Sequence, residues 1–85
     1  MDVINFEQYR PEILKALENR LKTGVISDPN GFILLDGFIN MPLQKEMGGA
    51  FIIGGPTIPA VAVVGKSSGL IYTFALKVLI PNINL

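Results

Sequence analysis

The feature that most constrains the fold is the absence of acidic residues from Met47 to Leu85, where only Lys66 and Lys77 carry charge. All seven carboxylates and the other five basic residues lie within the first 46 positions. A stretch so poor in charge does not form an ordinary hydrated surface. The asymmetry therefore predicts a second half that is largely buried, and it does not by itself predict a reaction.

The composition predicts one small domain, residues 1–85, that needs cover from outside. The chain is 49% hydrophobic and 16% charged, whereas about 25% of residues are charged in a typical soluble domain. Its formal net charge of zero gives no long-range field to attract nucleic acid or an anionic membrane. We therefore expect a homo-oligomer, most simply a dimer, with neither nucleic acid nor membrane as partner.

The missing residue types exclude several chemistries. The sequence contains no Cys and no His, which removes disulfides, thiolate nucleophiles and the usual zinc ligands. We expect no metal and no cofactor. The segment Met1–Glu7 lacks the basic and apolar regions of a secretory signal, so we expect a cytoplasmic location. The uncharged window Met47–Gly65 holds five glycines and two prolines, which argues against a membrane-spanning helix.

Residues 5–23 have the pattern of a helix. Asn5 is a suitable N-cap, and Gly24 suits the left-handed conformation that ends many helices. A proline inside a helix removes a hydrogen bond, so Pro11 predicts a break near Arg10, with a short turn before it and a main helix after it. The expected apolar face of the main helix consists of Ile13, Leu14, Leu17 and Leu21.

Residues from about 25 to 80 are expected to form the sheet. Asp28–Gly31 has turn chemistry and predicts a hairpin between Val25–Ser27 and Phe32–Leu35. Asp36–Gly37 predicts either a tight turn or a bulge within one strand, Phe32–Ile39. Three further expectations complete this region, a loop, a short strand and an irregular segment: Met41–Gly49, Ala50–Ile53 and Gly54–Pro59.

The strongest strand signal lies near the end of the chain. Ala60–Val64 and Leu70–Ile80 flank the loop Gly65–Gly69, which is typical of a hairpin. Both faces of the second run are mainly apolar, with Tyr72 and Phe74 on the same face. One register would place these two aromatic residues opposite Ala60 and Ala62, where there is room for them.

These elements predict an α+β fold, with an N-terminal helix packed on one face of a mainly antiparallel sheet of four or five strands. One helix with one apolar stripe covers only one face of a sheet. We therefore expect a second copy of the chain to cover the other face in a homodimer. The alternative is a small barrel-like sheet that closes on itself.

Two short segments suggest chemistry. Ala60–Ser67 resembles the phosphate-binding Walker A loop, except that Ala60 replaces its first glycine and the next four residues prefer extended backbone. We interpret Lys66 as a turn residue and expect no nucleotide site. Asp36–Gly37 is similar to part of the Asp-Thr-Gly motif of aspartic proteases but lacks the hydroxyl residue. Asp36 is therefore only a weak catalytic candidate.

The preferred function is a small, non-enzymatic binding or protein-interaction module that accepts an apolar small molecule or a peptide. One alternative is a small enzyme that uses Asp36 with a lysine. Another is a regulatory or inhibitory protein that docks on a different macromolecule. The residues expected to form the ligand or interface site are Gly54, Gly55, Pro56, Thr57, Pro59, Tyr72 and Phe74.

Overall fold

The computed structural model describes residues 4–44 and 56–83. The fold is α+β, with an N-terminal helix and an antiparallel four-stranded sheet, as the sequence predicts. The predicted strand Ala50–Ile53 lies outside the described residues. In chain order the elements are α1 (Phe6–Leu21), β1 (Phe32–Leu34), β2 (Ile39–Pro42), β3 (Thr57–Gly65), β4 (Ile71–Ala75) and the helical turn α2 (Leu76–Leu79).

Strand β3 is the centre of the sheet, because each of the other three strands pairs with it antiparallel. Val64 pairs with Ile33 of β1 and with Ile71 of β4, so β1 and β4 lie on opposite edges of β3. Ala60 pairs in the same way with β2 and with β4. Strands β1 and β2 therefore follow one another along one edge of β3, and β4 occupies the other edge.

A bulge separates β1 from β2. Leu34 pairs with Val63 and Ile39 pairs with Ala60, so five steps along this edge match three steps along β3. The Leu35 N–H still donates to the Ala62 carbonyl at 2.9 Å. Of the two predictions for Asp36–Gly37, the structure has the bulge. The edge strand then continues to Pro42, so the predicted loop Met41–Gly49 is wrong at its first two residues.

Both prolines of the β2–β3 pair are placed where a strand tolerates them. The Leu43 N–H donates to the Pro56 carbonyl at 2.8 Å, and hydrogen-bonded pairs alternate along an antiparallel ladder. The nitrogens of Pro42 and Pro59 therefore point away from the ladder that joins β2 to β3. The prediction of an irregular Gly54–Pro59 is wrong from Thr57 onward, and Gly54 and Gly55 lie outside the described residues.

The predicted β3–β4 hairpin is confirmed, but the suggested register is wrong. Tyr72 pairs with Val63 and Phe74 pairs with Val61, whereas Ala62 faces Thr73 across the ladder. Paired residues in an antiparallel ladder project from the same face. The aromatic residues therefore share the face of the two buried valines, where the helices cover the sheet.

Strand β4 ends at Ala75, so the predicted extension to Ile80 is wrong. Leu76, Leu79, Ile80 and Ile83 are all buried, and their spacing of three, four and seven residues from Leu76 is helical. The same residues also fit an alternating strand pattern in part, which explains the error. As a helical turn, this segment places Leu76 and Leu79 in the core cluster that contains Val61 and Val63.

Helix α1 is continuous from Phe6, so the predicted break near Arg10 is wrong. The Asn5 cap is confirmed, since its Oδ1 accepts the Glu7 N–H at 2.9 Å. A proline in a helix interior costs about 3 kcal/mol, and the continuous helix offsets this by burying a longer stripe. The residues of α1 that contribute to the core cluster are Phe6, Tyr9, Ile13, Ala16 and Leu17.

The turn at Asp28–Gly31 forms, but it does not make the predicted hairpin. The Gly31 N–H donates to the Asp28 carbonyl at 3.1 Å, and Gly31 has φ of +84°, a value that favours glycine. Val25–Ser27 is not a strand. The turn instead leads from the end of α1 into β1, and its side chains contact the β3–β4 hairpin loop.

Neighbouring residues on α1 test the packing of the helix on the sheet. Ile13 is 0% exposed and Leu14 is 39% exposed, although the sequence places both on the apolar face. We expect Ile13→Ala to lower the free energy of unfolding by about 2–5 kcal/mol, as for other core truncations. Leu14→Ala should cost less than about 1 kcal/mol. Urea titrations measure both values, and equal losses would contradict this placement of the helix.

Candidate functional site

The side of the sheet away from the core is apolar and partly exposed. We call it the outer face. Ile71 is 63% exposed, Ile33 49%, Met41 40% and Ile39 37%, whereas Ala60 and Ala62 on the central strand are buried. No charged residue belongs to this face among the described residues. By pairing and alternation it consists of Ile33, Ile39, Met41, Ile58, Ala60, Ala62, Val64, Ile71, Thr73 and Ala75.

Four of the seven sequence-predicted site residues lie on the opposite side, the core face, namely Thr57, Pro59, Tyr72 and Phe74. Tyr72 and Phe74 are half-buried and pack against the core cluster, and the Tyr72 ring meets Phe32 edge to face at 6.0 Å. Thr57 and Pro59 follow the same alternation as Val61 and so share this face. Pro56 is exposed just before β3. Whether these residues bind a ligand stays a prediction.

The sequence therefore missed which face of the sheet is available. It indicated that β4 is apolar on both sides, and Ile71 belongs to the side that the structure leaves exposed. The missing information was the register, which puts Tyr72 beside Val63 rather than beside an alanine. The uninterrupted apolar run of β3 could not show which face is exposed, because both faces of this strand carry aliphatic residues.

Asp36 lies in an exposed ion pair and not in an apolar cleft. Its carboxylate accepts a hydrogen bond from Arg10, which also binds Glu7 through Nε and Nη2 at 3.0 Å each. The Arg10 guanidinium lies 5.0 Å from the centre of the Phe6 ring. The hydrogen bonds that Arg10 donates to Glu7 and Asp36 raise the pKa of Arg10, and the hydrogen bond from Arg10 lowers the pKa of Glu7.

This cluster is poorly suited to acid–base chemistry. The basic partner of Asp36 is an arginine, which stays protonated in proteins and does not transfer its proton. The side chain of Asp36 is 75% exposed and therefore lies in water, not in an apolar pocket. The cluster joins the start of α1 to the bulge between β1 and β2, and a structural role accounts for it.

The best-defined polar contact holds the Asp28–Gly31 turn against the hairpin loop Gly65–Gly69. We call it the Asp28 clamp. The Asp28 carboxylate accepts the Ser67 N–H at 3.1 Å, the Ser68 N–H at 3.0 Å and the Asn30 N–H at 3.0 Å. Asn30 Nδ2 lies 2.6 Å from Ser67 Oγ, and the Lys66 N–H donates to the Gly31 carbonyl at 3.0 Å.

Gly65 allows the clamp to close. A Cβ atom at this position would lie 2.6 Å from Asp28 Oδ2 and 2.7 Å from Ser68 Oγ, closer than real side chains approach. Desolvation would raise the pKa of Asp28, but the backbone N–H groups of Asn30, Ser68 and Ser67 and the Ser67 side chain outweigh it and lower the pKa to about 2. The clamp therefore stabilises one negative charge, and that charge is the carboxylate of Asp28.

The clamp accounts for the resemblance of Ala60–Ser67 to a phosphate-binding loop. Backbone N–H groups of a turn attract anions, and those of Ser67 and Ser68 are donated to Asp28. Residues Val61–Val64, which would have to wrap around a phosphate, are part of β3. The structure thus leaves the loop no free cradle for a nucleotide and supports the interpretation of Lys66 as an exposed turn residue.

Among the described residues, α1 and the segment Leu79–Pro81 border a shallow groove. It has a volume of about 260 Å³, and the charged α1 side chains Glu12 and Lys15 line it together with Leu79 and Pro81. Pockets for small molecules usually enclose about 300–1,000 Å³ and are mostly apolar. This groove is smaller, and charged residues form part of its wall. It does not favour an apolar small molecule as the ligand.

The described residues contain neither a candidate metal-binding cluster nor a candidate membrane-spanning helix. In residues 4–44 and 56–83, no three acidic, histidine or cysteine side chains come close enough together to hold a metal ion. Within the same ranges, no helix combines the length and the hydrophobicity needed to cross a membrane.

Comparison with known proteins adds no relative. The chain matches no family model, and neither a curated protein nor a solved structure matches it.

The Asp28 clamp predicts a pH dependence of stability. Because the pKa of Asp28 is lowered from 3.8 to about 2 in the folded state, the clamp stabilises fully above pH 3.8 and its contribution is lost as the pH falls through about 2. Asp28→Asn keeps the shape but loses the charge, so we expect a lower Tm at neutral pH and a deficit that shrinks on acidification through this window.

Thermal unfolding followed by circular dichroism from neutral pH to below the folded pKa of Asp28 measures this effect. Glu12→Gln, at an exposed position of α1, is the matched control and should leave both Tm and its pH profile close to wild type. A deficit in Asp28→Asn that stays constant down to the lowest pH would contradict the clamp.

Proposed function

We propose that this chain is a small non-enzymatic protein-interaction module that forms a homodimer through the outer face of its sheet. The single observation that carries the proposal is the set of exposed aliphatic residues on that face, led by Ile71 and Ile33. Water-exposed apolar surface costs about 25 cal/mol per Å² relative to burial. Covering this face therefore provides a driving force for association.

The composition of the strands supports this proposal. None of the four strands contains a charged residue. The solvent-facing side of an antiparallel sheet normally carries polar residues in alternation with the core side, yet on the outer face only Thr73 is polar. A sheet that faced water on this side would need no such sequence, whereas one that meets a partner would.

The two edges of the sheet bear on how a second copy could dock. The β1–β2 edge carries the bulge and Pro42, two features that discourage a further strand. Strand β4 has neither a proline nor a charge, and among the described strands it pairs with β3 alone. Pairing of two β4 strands would extend the sheet but leave the outer face in water, so the dimer we propose packs the two outer faces against each other about a two-fold axis.

The size of the face sets the expected strength. With nine residues in β3, a strand spacing of about 4.8 Å and a rise of about 3.3 Å per residue, the face spans roughly 400 Å². Stable complexes bury about 800 Å² on each partner. We therefore expect association that depends on concentration in the micromolar range. A cytoplasmic setting is part of the proposal, and the absence of cysteine is compatible with it.

Two alternatives are less well supported. The small enzyme would need Asp36 next to a lysine, whereas Asp36 pairs with Arg10 in an exposed cluster. A regulatory or inhibitory protein that docks on another macromolecule, or a binder of apolar peptides, would use the same outer face. In either case self-association would be absent or would compete with the ligand.

Sedimentation velocity over a micromolar concentration series tests the proposal with two matched variants. Ile71, on the outer face, and Val78, on α2, are each 63% exposed. We expect Ile71→Lys to weaken dimerisation by more than about tenfold, because a two-fold interface contains both copies of the charge. Val78→Lys adds the same charge away from the face and should dimerise like wild type.

A wild-type chain that sediments as a monomer throughout the series would refute the homodimer. Equal weakening by both lysine variants would show that net charge matters and that the outer face does not.

A further inference from the structure

We propose that Asn30 is a site of spontaneous covalent modification, deamidation at the Asn30–Gly31 bond, and that the Asp28 clamp controls its rate. This proposal is independent of the proposed dimer. It arises from the turn where an asparagine, a glycine and the hairpin loop come together, and it concerns a reaction that needs only water.

The sequence singles out Asn30. Deamidation begins when the backbone nitrogen of the next residue attacks the side-chain amide carbon, and a side chain on that next residue obstructs the approach. Of the six asparagines in the chain, Asn30 is the one followed by glycine. The residues after the other five all carry bulky side chains: Phe6, Arg20, Met41, Ile83 and Leu85.

The fold holds both reacting groups away from the reaction. Asn30 is exposed to water in its turn, but its Nδ2 lies 2.6 Å from Ser67 Oγ and is held there by a hydrogen bond. The attacking group, the Gly31 N–H, donates to the Asp28 carbonyl at 3.1 Å. Ring closure must break both hydrogen bonds, so it requires the Asp28 clamp to open locally.

The chemistry balances without any further reagent. The Gly31 nitrogen forms a bond to Asn30 Cγ, the bond from Cγ to Nδ2 breaks, and the proton of the Gly31 N–H leaves with the side-chain nitrogen as ammonia. Water then opens the five-membered imide at either carbonyl, which gives aspartate or isoaspartate at position 30. The net change is hydrolysis of one amide to a carboxylate with loss of ammonia.

The product of deamidation, an acidic residue at position 30, would destabilise the Asp28 clamp. The Asn30 amide that Ser67 Oγ binds becomes a second carboxylate in the clamp that already holds the carboxylate of Asp28. Neighbouring like charges repel each other. Isoaspartate also adds one carbon to the backbone of the turn that places Gly31 against Lys66. Modification is therefore expected to hold the clamp open and to loosen the start of β1.

The test follows the gain of one dalton at position 30 by peptide mapping and mass spectrometry during incubation in warm, mildly alkaline buffer. A synthetic peptide of residues 25–35 gives the rate of deamidation without the protection of the fold. Two variants open the clamp without changing the reacting residues: Ser67→Ala removes the acceptor for Nδ2, and Gly65→Ala introduces the Cβ that would clash with Asp28.

Leu17→Ala is the control for general destabilisation, since Leu17 is a buried core residue of α1. We expect wild type to deamidate roughly tenfold more slowly than the peptide, because the reaction requires local opening. Ser67→Ala and Gly65→Ala should approach the peptide rate. Leu17→Ala should stay closer to wild type when compared at an equal fraction folded, and Asn19, which precedes Arg20, should remain unmodified in every full-length sample.

Three results would overturn the proposal. The first is a wild-type rate equal to that of the peptide, which would mean that the fold gives no protection. The second is no acceleration in either clamp variant. The third is equal acceleration by Leu17→Ala at matched folded fraction, which would assign the rate to global unfolding.

Discussion

The central strand β3 is the constraint on which the rest of the structure depends. Every other strand hydrogen-bonds to it, and its residues Val61 and Val63 are buried in the core cluster with both helices. Ladder bonds on both edges and apolar packing make the sheet one cooperative unit. The contacts outside that core, the ion pairs of Arg10 with Glu7 and Asp36 and the Asp28 clamp, attach connecting segments to the sheet around β3.

The two faces of the sheet are both mainly apolar, but their surroundings differ. The core face receives the aromatic residues of β4 and is covered by α1 and α2, while the outer face places aliphatic side chains in water. Within residues 4–44 and 56–83, charge is confined to α1, the turns and the helical turn after β4. The proposed function therefore depends on the shape and hydrophobicity of the outer face and not on charge.

Local signals in the sequence identified the elements, and tertiary packing decided their limits. The Asn5 cap and the hairpin around Gly65–Gly69 follow from residue chemistry and were predictable. The break at Pro11 was not, because the gain from packing Phe6 and Tyr9 against the core cluster exceeds a local preference. The apolar residues after Ala75 fit two periodicities, and only packing on β3 selects the helical one. Predicting which face is exposed requires the register between β3 and β4, and the alternation of residues in β3 does not encode that register.

Native-state amide hydrogen exchange, resolved by residue, tests the central role of β3 most directly. The account predicts that the amides of Ala60–Val64 exchange most slowly and only through global unfolding, and that those of the bulge at Asp36 and of Val25–Ser27 exchange earlier. Amides of α1 that remain protected after those of β3 have exchanged would contradict it, because the helix and not the central strand would then be the organising element.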